Sequence, residues 1–137
     1  MQSMRIAGFA FAAMLLAACA AKAGPLPSLY TAAQASAGAN VFTQNCTVCH
    51  GIGMTGGAGP ALIGQAFAAP GIGATIGGVF SLLTQQMPAS NPGSLSQTQY
   101  EDVMAYILQQ NGYPAGGTGL VYKDSLASTV PLVSQVK

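Results

Sequence analysis

Cys46-Thr47-Val48-Cys49-His50 decides how the rest of this chain is read. Two thiols three positions apart with an imidazole directly after the second form the attachment pattern of c-type haem. Each sulfur adds across a porphyrin vinyl group, and the imidazole is then carried to the iron. The competing readings need partners this chain does not offer. A thioredoxin-like thiol pair sits in a βαβ context, and no strand pattern surrounds Cys46. A zinc site needs further ligands, yet His50 is the only His and the third Cys, Cys19, lies far upstream. The pattern predicts one covalent haem c, with Cys46 and Cys49 as anchors and His50 on one face of the iron.

Composition is consistent with a chain built round a large apolar group. Its 137 residues amount to one domain, with 5 % charged residues, no Trp and a formal net charge of +1. Half the residues are apolar, but many are Ala and 18 more residues are Gly, so the side chains supply little core volume. A buried macrocycle would supply what they lack. Four Lys and Arg are too few for a basic patch, which excludes a nucleic-acid partner.

Haem iron has a second axial position, and three Met downstream of the motif compete for it. Met54 follows His50 by four residues, which reach at most about 14 Å, too short to round the porphyrin and return to its other face. Met104 falls on the core face of a helix, where Met commonly fills gaps. Met87 has 37 residues of slack from His50. Pro88 biases it toward an extended backbone, which suits a loop projecting its thioether inward, and Asn91-Pro92-Gly93 turns the chain onward. A thioether opposite an imidazole favours ferrous iron and fills the last position, so the expected activity is electron transfer rather than catalysis.

Upstream of the motif the chain begins with an address. Arg5 precedes Ile6 to Ala18, an unbroken apolar run of thirteen residues. A run that short falls below the roughly 20 residues a membrane-spanning helix needs and reads as a secretory signal. Export to a periplasm is the consequence. Two processing sites compete over residues 1–23: Ala21-Lys22-Ala23 has the small-x-small form, and Leu16-Ala17-Ala18-Cys19 has the form of a lipobox that would leave Cys19 lipidated and the protein anchored to a membrane. The lipobox also accounts for the third thiol. Residues 24–30, in which Pro25 and Pro27 favour an extended backbone, read as a linker.

Three helices are signalled. Thr31 and Gln34 form a capping box ahead of a stretch running to about Asn45. Ile76, Val79, Phe80 and Leu83 recur at helical spacing over roughly 74–84, weakened by Gly77 and Gly78. Ser96 and Gln99 open a helix over 97–110, which Asn111-Gly112 and Pro114 stop. The glycines from Gly51 to Gly59 read as a loop, since neither a preceding strand nor a following Lys-Ser or Lys-Thr supports a phosphate-binding turn. Residues 113–137 read as either a strap over the domain or a loose tail. Gly38 and Phe42 share a face of the first helix, and spacing alone leaves open whether Gly38 admits a neighbouring helix or only reflects a Gly-rich chain.

Over residues 31–112 the chain resembles the class I c-type cytochromes of bacteria. The likeness rests on an ordered set: Gly38 and Phe42, the Cys46–His50 motif, Gly59-Pro60-Ala61-Leu62, Met87-Pro88, and Asp102-Val103-Met104-Ala105-Tyr106-Ile107. It implies an all-α fold of three to five helices wrapped around the haem. The resemblance implies that the first and last helices cross, with Gly38 and Phe42 against Tyr106. It implies also that the Pro60 carbonyl accepts the second ring N–H of His50. The implied partners are redox proteins, a dehydrogenase as donor and an oxidase or another cytochrome as acceptor.

Two features depart from that family. The Lys ring that often steers acidic partners is missing, since only Lys123 and Lys137 follow the address region. No Trp is available near a haem propionate, leaving Tyr100, Gln85 and Gln86 as polar candidates. Two other classes compete with a free carrier. One is a subunit fixed to a quinoprotein-type dehydrogenase, which the 113–137 extension would serve. The other is a haem sensor or enzyme with an open iron site, which lacks a second His for acid–base work.

Overall fold

A computed structural model describes residues 25–137; the address region, both processing sites and Cys19 lie outside the described residues. Six helices form: α1 (Ala32–Asn45), α2 (Thr47–His50), α3 (Gln65–Ala68), α4 (Ile76–Gln86), α5 (Gln97–Gln110) and α6 (Tyr122–Leu126). Five fall within residues 31–112, and α6 belongs to the extension. Among the described residues there is no strand beyond a single bridge between Thr75 and Pro131. No described helix is long and apolar enough to cross a membrane.

The three long helices begin where their capping residues dictate. At α1 the Thr31 hydroxyl accepts from the Gln34 N–H, and the Gln34 side chain accepts from the Thr31 N–H, so two orphan donors are satisfied reciprocally. Ser96 and Gln99 do the same for α5. Thr75 caps α4 by accepting from the Gly78 N–H.

Helices α1 and α5 make the most extensive interhelical contact. At its centre a Cβ on Gly38 would fall on the backbone carbonyl of Asp102 and 3.0 Å from Cβ of Tyr106. Only a residue without a side chain lets the two backbones approach so closely. One turn on, the rings of Phe42 and Tyr106 meet edge to face, with centroids 5.7 Å apart. Around this pair Val103, Met104, Ile107 and Leu108 of α5 form a core with Phe80 and Leu83 of α4.

Residues 113–137 are a strap laid over the domain. The Gln34 amide holds Leu120 through both of its backbone groups, at 3.0 and 2.9 Å. Glu101 accepts from the Tyr122 N–H at 2.7 Å. Farther on, Leu132 donates to Ala74, Ser134 to Ala68 and Gln135 to Asn111, while Leu120 and Leu132 bury their side chains. The segment before α1, read from composition as a linker, is likewise fixed: Tyr30 is buried and its hydroxyl donates to the Tyr113 carbonyl at 2.7 Å. Tyr30, with Leu26 and Leu29 packed against the core, overrides the tether reading, because burying a ring of that size outweighs the freedom of a few flanking residues.

Candidate functional site

Helix α1 delivers the motif directly. Cys46 closes α1, its N–H donating to Phe42, and opens α2. The His50 N–H then donates to the Cys46 carbonyl at 2.9 Å, so both thiols and the imidazole share a single helical turn. Cys46 and Cys49 are half-buried and carry free thiols. Burial pushes the Cys46 thiol up to about 11, with the neighbouring Cys49 adding to the shift, so at neutral pH Cys46 is held as the uncharged thiol.

His50 is buried, and its Nδ1 lies 2.8 Å from the Pro60 carbonyl oxygen. A carbonyl can only accept, so Nδ1 is the donor in this contact, and Nε2 is the nitrogen left for another partner. The glycine-rich loop is folded to make this contact. Gly56 donates to the His50 carbonyl at 2.9 Å and Gly59 to that of Cys49 at 2.8 Å. A Cβ on Gly59 would stand 3.0 Å from Cε1 of the imidazole. The loop lies flat on the ring because that position has no side chain.

Met87 ends α4 in an extended conformation, with φ −120° and ψ 151°, as the following Pro demands. Its N–H is tied to the Leu83 carbonyl at 3.2 Å, its carbonyl accepts the Tyr100 hydroxyl at 2.7 Å, and its half-buried side chain packs on the core. Met54 is buried in the glycine-rich loop with φ 58°, and Met104 is buried in α5.

Two contributors escape sequence reasoning. The Tyr100 hydroxyl, a candidate for a propionate on composition, is already committed to the Met87 carbonyl, and the Gln85 amide bonds the Ser81 hydroxyl. Asn111, which the sequence offers only as a helix stop, is wholly buried. Its amide accepts from Gly64 and donates to Leu62 and Ile107, pinning the end of the glycine-rich loop to α5. Asn before Gly signals a helix end whether or not the amide is buried, so no local pattern reveals this role.

Residues 33–107, more than half of the chain, match the family described as cytochrome c oxidase, cbb3-type, subunit III. The chain belongs to the class I c-type cytochromes. The cytochrome is also similar to a chain of the sulfane dehydrogenase SoxCD from Paracoccus pantotrophus, with a TM-score of 0.53 and 22 % identity. The match covers 74 % of this cytochrome and 53 % of that chain, so the cytochrome domain spans about half of the SoxCD chain. At that identity the likeness bears on the fold alone. No curated protein matches the sequence.

Membership implies haem c, and the donor set of this cytochrome fits it. Two unpaired thiols lie on one turn beside an imidazole whose second nitrogen is free, and Gly59 packs against that ring too closely to admit a Cβ. Among the described residues no group of three or more His, Cys, Asp or Glu offers a competing metal site.

Proposed function

We propose that this cytochrome is a one-electron carrier in an exported respiratory chain. Cys46 and Cys49 would hold haem c through thioethers, and His50 and Met87 would serve as ligands to its iron. Haem c supplies the one-electron couple. His50 acts through Nε2, while its Nδ1–H bond to Pro60 fixes the ring and raises its basicity. Met87 presents a soft thioether, which favours the ferrous state and leaves no position for substrate.

The single observation that supports this reading is the 2.8 Å contact between His50 and Pro60, because it uses Nδ1 and leaves Nε2 as the nitrogen available to an iron. Spectra of the purified haem-loaded protein and of Met87→Ala test it. A near-infrared sulfur-to-iron band in the oxidised wild type, lost in the variant, is the expected result. Carbon monoxide binding to the reduced wild type at neutral pH, with no such band, would indicate an open iron site and overturn the assignment of Met87.

A second reading is a cytochrome subunit held in a fixed complex with a periplasmic dehydrogenase, the kind of protein in which a chain of similar fold occurs, the sulfane dehydrogenase SoxCD. Copurification in a stable stoichiometric complex separates it from the free carrier. For the address region the proposal is export to the periplasm with lipid on Cys19. Mass spectrometry of the mature N-terminus distinguishes that from cleavage after Ala23.

A further inference from the structure

Met87 owes its place to helix α4, whose Phe80 and Leu83 join the core with α5 while its first turn lies against the extension. Among the described elements α4 packs mainly on α6, less on α5, and on none of the other helices. Its first turn is seated on the extension. The Ile76 N–H donates to the Val130 carbonyl at 2.9 Å and the Gly77 N–H to the Ser128 carbonyl at 3.0 Å. These are two of the donors that a helix start leaves without an intrahelical partner.

Gly77 marks the crossing point. A Cβ there would fall on the Ser128 carbonyl and stand 2.8 Å from the carbonyl of Leu126. The glycine that weakens the helical pattern is the residue that lets the strap pass. Alongside, the Tyr122 ring meets Phe80 edge to face at 5.3 Å. The strap in turn is fixed to α1 through Gln34 and to α5 through Glu101 and Asn111. A continuous set of contacts therefore runs from the helix that carries Cys46, through the strap, to the helix that ends in Met87.

We propose that the strap segment 126–130, seated on Gly77, positions Met87 by fixing the start of α4; this rests on the reading of Met87 as an axial ligand. Helix α4 has 11 residues and is about 16 Å long, so it acts as a lever. A tilt at its first turn is carried to Met87, whose N–H is bonded into the last turn. Gly77 and the strap carbonyls touch neither iron ligand and act only through this geometry.

The test compares haem-loaded wild type, Gly77→Ala and Met87→Ala by three readouts: the near-infrared sulfur-to-iron band, the affinity for imidazole as a competing ligand, and far-ultraviolet circular dichroism. Gly77→Ala should keep its helix content and its haem, yet lose much of the band. It should also bind imidazole about tenfold more tightly, the ratio that about 1.4 kcal/mol gives. A folded Gly77→Ala with unchanged band and imidazole affinity overturns the proposal while Met87→Ala, by losing the band, upholds the ligand assignment. A Met87→Ala variant that keeps the wild-type band overturns the assignment itself, and the proposal with it. Should Gly77→Ala not fold, hydrogen exchange of the wild-type Ile76 and Gly77 amides in dilute denaturant gives the answer. Loss of the band at the denaturant concentration where those amides open supports the proposal, and a band that outlasts their opening overturns it.

Discussion

The Tyr100 hydroxyl reaches from the first turn of α5 to the carbonyl of Met87 and donates to it across 2.7 Å. The bond ties the residue that ends α4 to the crossed-helix core. Tyr100→Phe removes the donor and keeps the ring, so it should cost about 1 kcal/mol, the usual net value of one such bond. Chemical denaturation of the haem-loaded protein measures the loss. The same variant should bind imidazole more tightly than wild type. An unchanged midpoint together with unchanged imidazole affinity would show that this bond holds nothing.

Gly38 presents a contest between two effects. Ala in place of a helical Gly gains about 1 kcal/mol of intrinsic propensity. Against this, the added methyl would occupy the space of the Asp102 carbonyl, a backbone atom that cannot rotate away. Overpacking a closed contact costs roughly 1–3 kcal/mol or more, and separating the helices would also disturb the Phe42–Tyr106 pair. Gly38→Ala should therefore be less stable on balance, with a lowered thermal midpoint; a raised midpoint would mean that α1 and α5 can separate freely.

The long helices were legible because their signals are local. Thr31 with Gln34 and Ser96 with Gln99 are capping boxes written within four residues, and the core faces of α4 and α5 recur at helical spacing. The motif was legible because covalent attachment needs those residue types at that spacing. What stayed hidden is held by distant partners. The Gln34 amide grips Leu120 from 86 residues away, and Tyr30 finds Tyr113 at a separation of 83. Such bonds use backbone groups, which every residue has, so the strap leaves no period to read. Gly77 was visible only as a cost to its own helix, since the chain that crosses it comes from the far end of the sequence.

Asp102 supplies a pH dependence. Its carboxyl is nearly buried, and burial, helped by the neighbouring Glu101, raises its pKa above the ordinary 3.8. The folded chain thus binds this proton more tightly than the unfolded chain does. The group's stabilising contribution is complete below the ordinary value and is lost as pH rises through the raised one. Asp102→Asn has no charge to bury, so it should be more stable than wild type at neutral pH, with the difference vanishing near about pH 3. Thermal midpoints at the two pH values check this. A variant less stable at neutral pH would reveal a cationic or donor partner for the carboxylate.

Charge is distributed to an extreme. From Ala23 to Tyr100 the sequence contains no Asp, Glu, Lys or Arg, so the motif, the glycine-rich loop and the Met87 region all lie in one uncharged stretch. Val48 and Ile52, flanking Cys49 and His50, are exposed and apolar. Steered redox partners gain association rates of roughly 10-fold to 1,000-fold at low salt and lose them as salt is added, because the Debye length shrinks from about 30 Å at 0.01 M to about 10 Å at 0.1 M. With no fixed charge in this stretch, the second-order electron-transfer rate to a physiological partner should change by less than about twofold over that range. Stopped-flow oxidation across a salt series measures it, and a steep fall would place the encounter surface at the charged residues Glu101, Lys123 and Asp124 instead.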